Sequence, residues 1–198
     1  MSNSGQSSLS DLGKWKASNL RRGSEKIIRR AYGKTIEYLA RLASFASGGP
    51  TRTAGPVSSK QEQLVVEDIV VFSIHARRLI EATSGKNRFR QVKIKAASDL
   101  TLENIAIWDL LNRVIHHNEV SMVRTNLKLK ALTGTLDIDD IRRPPMGSFP
   151  PVVSVASDHQ KIISFNLSEF VETFQKDVLT PIIDLCDEHE MFLVEFDE

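Results

Sequence analysis

The sequence predicts an α+β protein: a helical core of three to four helices with a small antiparallel β-sheet in the second half. Three observations carry that expectation. Apolar residues recur at three- and four-residue steps from Ser24 to Ala43, from Lys60 to Thr83 and from Ser98 to His117, the spacing of a buried helical face. Beyond residue 120 the period falls to two, as in "RTNLKLKALTG", the spacing of a half-buried strand. Loop-forming residues gather at 46–59 and again in "DIDDIRRPPMGSFPP". At 198 residues, 41% of them hydrophobic, the chain is long enough to bury one real core.

Residues 1–22 are rich in Ser, Gly, Asn and Lys and read as a mobile tail that cannot offset its own ordering entropy. Residues 24–120 read as a helical region interrupted by a linker at 46–59. The first helix sets Ile27, Ile28, Ala31, Tyr32, Ile36, Leu39, Ala40 and Ala43 against Lys26, Arg29, Arg30, Lys34, Glu37 and Arg41, a packed helix with a solvated basic side. Ser59 and Glu62 form a capping box for the second helix, which runs to Thr83 with Gly85 as its stop. "KNRFRQVKIKAA" (86–97) is a short edge strand or an extended loop. A third helix then starts at Ser98, Asp99 or Thr101 as N-cap. It buries Leu102, Ile105, Trp108, Leu110, Leu111, Val114 and Ile115.

Residues 121–198 read as a β-hairpin sheet plus a C-terminal helix, packed as one domain with the helical region. "VVSVASDHQKIISFNL" is a hairpin turning at 157–160. Asn166 with Glu169 caps the last helix, whose inner face is Phe170, Phe174, Val178, Ile182 and Leu185. Pro181 removes one helical donor and should kink or restart it. "MFLVEFDE" can add a short strand.

A net charge of +1 hides an asymmetry. Residues 1–50 carry nine Lys/Arg against three Asp/Glu, and residues 151–198 carry two against eleven. A basic half attracts phosphate backbones, and an acidic C-terminal region suits a protein partner, an oligomer contact or the basic half itself. Two solvated faces without a partner explain the same pattern. No run of eighteen apolar residues exists, so no membrane is expected. The N-terminus lacks the apolar stretch of a secretory signal, and the single Cys186 fits a reducing compartment, so a cytoplasmic location is expected.

The stretch "LLNRVIHHNEV" (110–120) carries the chemistry. Asn112 and His116 are one helical turn apart, as are Arg113 and His117, so four polar groups gather at the end of a core helix. Cations at a helix C-terminus are also favoured by the macrodipole alone. Cleavage of RNA by its own 2′-hydroxyl needs a group that titrates near neutral pH, which histidine supplies. It also needs a cation for the charge developing on phosphorus, which arginine supplies. A helical core with "WDLLNRVIHH" resembles the HEPN superfamily over residues 60–120. That resemblance implies an RNA-associated protein, a metal-independent endoribonuclease acting as a dimer whose two motifs meet in one cleft. Asn112 and Arg113 would take the polar and arginine positions and His116 or His117 the histidine. The order here is Asn-Arg where the family has Arg-polar, and the Arg-to-His gaps are shorter than the family's. The alternative of another class is a non-catalytic protein-interaction module of a bacterial or mobile-element system, recognising its partner through the acidic C-terminal region.

Other constellations are weaker. Lys86, Arg88, Arg90, Lys93 and Lys95, with Phe89 between them, can contact a nucleic-acid backbone and stack one base; an edge strand protected by lysines explains them equally. Cys186 and His189, with Asp184 and His159, offer one edge of a zinc site but not the four N/S ligands zinc wants, so no metal or cofactor is expected. His75, inside the second helix, reads as a core or interface histidine that could face the same cleft as His116. Walker, Rossmann, nucleophile-elbow and HExxH motifs are absent from the sequence.

Overall fold

The computed structural model of the chain describes residues 22–47, 56–83, 89–98, 101–117, 119–123, 151–156, 161–188, 191 and 193. The elements run α1 (Arg22–Ser47), α2 (Pro56–Thr83), β1 (Lys93–Ser98), β2 (Thr101–Ala106), α3 (Ile107–Ile115), β3 (Glu119–Val123), β4 (Val152–Ala156), β5 (Ile163–Asn166), α4 (Leu167–Phe174) and α5 (Thr180–Glu188). A π-helical turn, Gln175–Leu179, joins the last two. The architecture is α+β, with helices packed on an antiparallel sheet in the order β2-β1-β5-β4-β3.

α1 and α2 lie against each other through faces set by the helical period. α1 buries Ile28, Ala31, Thr35, Leu39 and Leu42, and α2 buries Val65, Ile69, Phe72, Ala76, Leu79 and Ile80. Three hydroxyls sit in these faces at no cost in unsatisfied groups: Thr35, Ser73 and Thr83 donate to the carbonyls of Ala31, Ile69 and Leu79, each one turn back. Ile27 and Ala40, expected on the inner stripe, are exposed. The second helix begins at Pro56, a residue suited to a first turn, so Ser59 lies inside the helix and is not its cap.

The largest departure from expectation is at 98–106. These residues were expected to open a helix; instead 93–106 forms a hairpin, with Lys93 opposite Ala106 and Ser98 opposite Thr101. Leu102 and Ile105 are three apart, which fits one face of a helix but opposite faces of a strand. Ile105 is buried and Leu102 is 44% exposed. The helix proper is the nine residues of α3. Its first amide, on Ile107, donates to the Val92 carbonyl before β1. The sheet therefore takes three strands from upstream of residue 125 in addition to the expected hairpin β4–β5. The expected strand around Leu127 and Leu129, and most of "MFLVEFDE", fall outside the described residues.

Alternation along the sheet sends Ile94, Ala96, Ile105, Val153, Val155, Ile163 and Phe165 to the helical side, all buried. Phe165 meets Phe170 of α4 at 5.4 Å between ring centroids. Phe170 and Phe174 in turn meet Phe72 of α2 edge-on at 5.7 and 4.9 Å. Four rings thus join the sheet, the central helix and the C-terminal helix.

Asn166 caps α4 as expected, accepting from the amides of Ser168 and Glu169. Pro181 does not break the chain's helical course. The π turn ahead of it lets the Thr180 amide donate to Gln175, five residues back. The wider turn accommodates a ring that would otherwise meet the carbonyl four residues behind it. Phe170, Phe174, Val178, Ile182 and Leu185 are all buried.

Two substitutions check this account by chemical or thermal unfolding. Phe72→Ala should cost about 3–5 kcal/mol, because it opens a cavity beside the Phe170 and Phe174 rings. Leu102→Ser should stay within about 0.5 kcal/mol, as befits an exposed strand position; a helix burying Leu102 would lose several times that.

Candidate functional site at the end of α3

α3 is positioned at both ends. The β1–β2 hairpin feeds it, and its apolar side (Ile107, Leu110, Leu111, Val114) is buried. The polar groups are what remains. Asp109, Asn112, Arg113 and His116 recur at three- and four-residue steps on the side away from Leu110 and Leu111. Asp109 and His116 are exposed, and Asn112 and Arg113 are half-buried. The His116 amide closes the helix by donating to the Asn112 carbonyl.

Two atoms of this patch stand out chemically. Asn112 Oδ1 and Arg113 Nη1 are enclosed and have no hydrogen-bond partner. Enclosed polar atoms are normally satisfied, and an orphan costs free energy comparable to a lost hydrogen bond. An acceptor and a charged donor on consecutive residues are therefore left unpaired, as Arg29 Nε and Ser98 Oγ are elsewhere in the fold.

His117 does not continue the helical face. It lies past the helix end, half-buried, and its Nδ1 contacts the Val114 carbonyl. A carbonyl can only accept, so Nδ1 carries the proton, and the tautomer with its lone pair at Nε2 is the one this contact selects when the ring is neutral. The contact orients the imidazole without occupying its second nitrogen.

Near the start of α3, Arg77 of α2 lies over the Trp108 ring, 5.4 Å from its centroid, and pairs with Glu81 at 3.1 Å. The sequence reading missed this residue. Its only signal was the "HARR" run in a helix otherwise apolar on most sides.

The other sequence candidates lie elsewhere. Arg90, Lys93 and Lys95 are exposed around the start of the β1–β2 hairpin. The length of α3, on the order of 10 Å at ~1.5 Å per residue, separates that hairpin from the polar patch. Arg88 is outside the described residues. Phe89, expected to stack a base, is only 2% exposed and belongs to the core, so that reading is corrected. His159 and His189 are also outside the described residues. Cys186 is buried in the core, and that burial, with Asp187 adding to it, pushes its thiol up to about 11. Among the described residues, no group of three His, Cys, Asp or Glu side chains is arranged to hold a metal ion.

His75 faces α1 rather than the Trp108 side of α2. Its ring lies nearly parallel to Tyr38, at 10° with centroids 6.5 Å apart. Burial lowers its pKa below the usual imidazole value, and the positive charges of Arg78, Lys34 and Arg30 lower it further, against a smaller opposing pull from Glu37. The folded chain thus holds this proton less tightly than the unfolded chain. Its contribution to stability is present above the ordinary imidazole value of about 6.5 and is lost as pH falls through the lower folded value. The fall in melting temperature between about pH 8 and about pH 5 should therefore be smaller for His75→Gln than for the wild type; an equal or larger fall would contradict the assignment.

Among the described residues, no helix is long and apolar enough to cross a membrane. Comparison with known proteins gave no matching family model, no matching curated protein and no matching solved structure.

Proposed function

We propose that this chain is an RNA-associated, HEPN-like protein whose α3 terminus is a metal-independent endoribonuclease site. The observation that carries the reading is the pair of enclosed, unpartnered atoms on Asn112 and Arg113, at a helix end that His116 and His117 follow in sequence. In this reading His117, tethered through Nδ1, takes the proton of a ribose 2′-hydroxyl at Nε2. The freed oxygen attacks the adjacent phosphorus. The bond from phosphorus to the 5′-oxygen breaks, and that oxygen takes a proton from the His116 imidazolium. The products are a 2′,3′-cyclic phosphate and a 5′-hydroxyl. Arg113 Nη1 donates to a non-bridging oxygen as charge develops there. Asn112 Oδ1 accepts from the ribose hydroxyl or from an imidazole N–H. Every proton is accounted for by side chains of the patch.

The dimer implied by the resemblance would bring two such termini into one cleft. That arrangement suits a patch with orphaned polar atoms in each copy.

Structured RNA incubated with the purified protein in excess EDTA tests the reading. The wild type should produce cyclic-phosphate ends. His116→Ala, His117→Ala and Arg113→Ala should each lose about 100-fold or more of that rate. RNA left whole by the wild type, or cut equally by all four proteins, ends the nuclease reading and leaves a non-catalytic interaction module.

A further inference from the structure

A second cationic surface lies on the other flank of α2, where α1 packs against it. Arg30 and Lys34 are one turn apart on α1, and their charges act on His75 of α2 together with that of Arg78. All three basic residues are exposed. Lys34 is partly neutralised by Glu37 at 2.7 Å. Glu37 is shared with Arg41, which also reaches Asp68 at 3.5 Å. Arg30 and Arg78 make no ion pair within the described residues. Such crowding of like charge around a half-buried imidazole costs stability.

Set among these cations are two aromatic rings. Tyr38 and His75 are nearly parallel, and Arg41 lies over Tyr38 at 4.9 Å from its centroid. Cations that track a backbone, interleaved with flat rings, are what a single-stranded nucleic acid uses: phosphates take the charges and bases stack on the rings. A generic polyanion would need only the charges. Arg78 also directly follows Arg77, which marks the Trp108 side.

We propose that the α1–α2 surface formed by Arg30, Lys34, Arg78, Tyr38 and His75 is a binding site for single-stranded RNA, holding the strand by its phosphates and by base stacking. It deepens the RNA-associated reading and rests on it for the choice of RNA, but it does not require the α3 terminus to cleave.

The test is binding of a fluorescent single-stranded oligoribonucleotide of about twenty uridines, by anisotropy, with the full chain over a range of salt. Arg30→Ala with Arg78→Ala should weaken binding about tenfold or more. It should also make the log–log salt slope shallower by about 1.4, the equivalent of two lost phosphate contacts at ~0.7 each. Tyr38→Ala should weaken binding about fivefold or more with the slope unchanged, and Tyr38→Phe should retain it. Lys93→Ala with Lys95→Ala removes the same charge from the sheet and should leave affinity within about threefold. The site is overturned if the Arg30/Arg78 variant binds with wild-type affinity and slope, or if the loss falls on Lys93 and Lys95 instead. It is equally overturned if the wild type binds no oligonucleotide. Indifference to Tyr38→Ala overturns the single-strand assignment in favour of a plain polyanion surface. Cleavage is scored separately: binding through Arg30 and Arg78 without cleavage sinks only the nuclease reading, and cleavage that ignores Arg30 and Arg78 sinks only this one.

Discussion

The fold depends on the ring cluster centred on Phe72. Helix α2 alone cannot bury its apolar face. It needs α1 on one flank, and the sheet and C-terminal helix on the other. Phe170 and Phe174 of α4 supply that contact, and Phe165 at the end of β5 backs Phe170 from the same continuous segment. The turn between strand and helix must therefore hold its geometry, which Asn166 secures by accepting two amides of the first helical turn. A rotation there would withdraw two rings from Phe72 together. The dominant energy is apolar burial, and the polar cap decides where that burial is aimed.

The same packing creates the polar patch. α3 is short because it is bounded by a strand on one side and the β3 strand on the other. A short helix between two strands that buries five of its nine residues has little length over which to spread its polar ones. Asn112, Arg113 and His116 are thereby concentrated within a single turn, with His117 folded back onto the Val114 carbonyl. The unpartnered atoms on Asn112 and Arg113 are a local conflict, one that Arg29 Nε and Ser98 Oγ share elsewhere in the fold.

The charge arrangement follows a similar logic on the outside. α2 presents different chemistry to its two flanks: Arg77 over an indole on one, His75 and Arg78 among the cations of α1 on the other. On α1 the acidic Glu37 and, from α2, Asp68 hold Lys34 and Arg41 in place. Arg30 and Arg78 are left facing solvent. A folded surface that keeps unpaired like charges close together forgoes some stability, which a bound polyanion would restore.

What the sequence determined by itself is whatever a local repeat encodes. The helical spacing of α1 and α2, the two-residue alternation of β4 and β5, the Asn166 cap and the inner face from Phe170 to Leu185 are all properties of neighbours along the chain. The shared face of Asn112 and His116 is another. What only the tertiary structure decided is whatever depends on a partner far away in sequence. "TLENIA" has apolar residues at a spacing compatible with a helix, and pairing with β1 made it a strand; that pairing is invisible in the segment itself. Phe89 was read as a solvent-facing ring among cations, and the core claimed it. His75 could have faced either flank of α2, and the packing of Tyr38 from α1 settled which. Pro181 was expected to kink or restart the last helix, and the structure shows how: a π turn, Gln175–Leu179, intervenes and the α-helix resumes at Thr180. Periodicity specifies which side of an element is apolar, but the identity of its neighbour is set by long-range packing. The grouping of Arg30, Lys34 and Arg78 around one imidazole existed nowhere in the sequence as a local pattern.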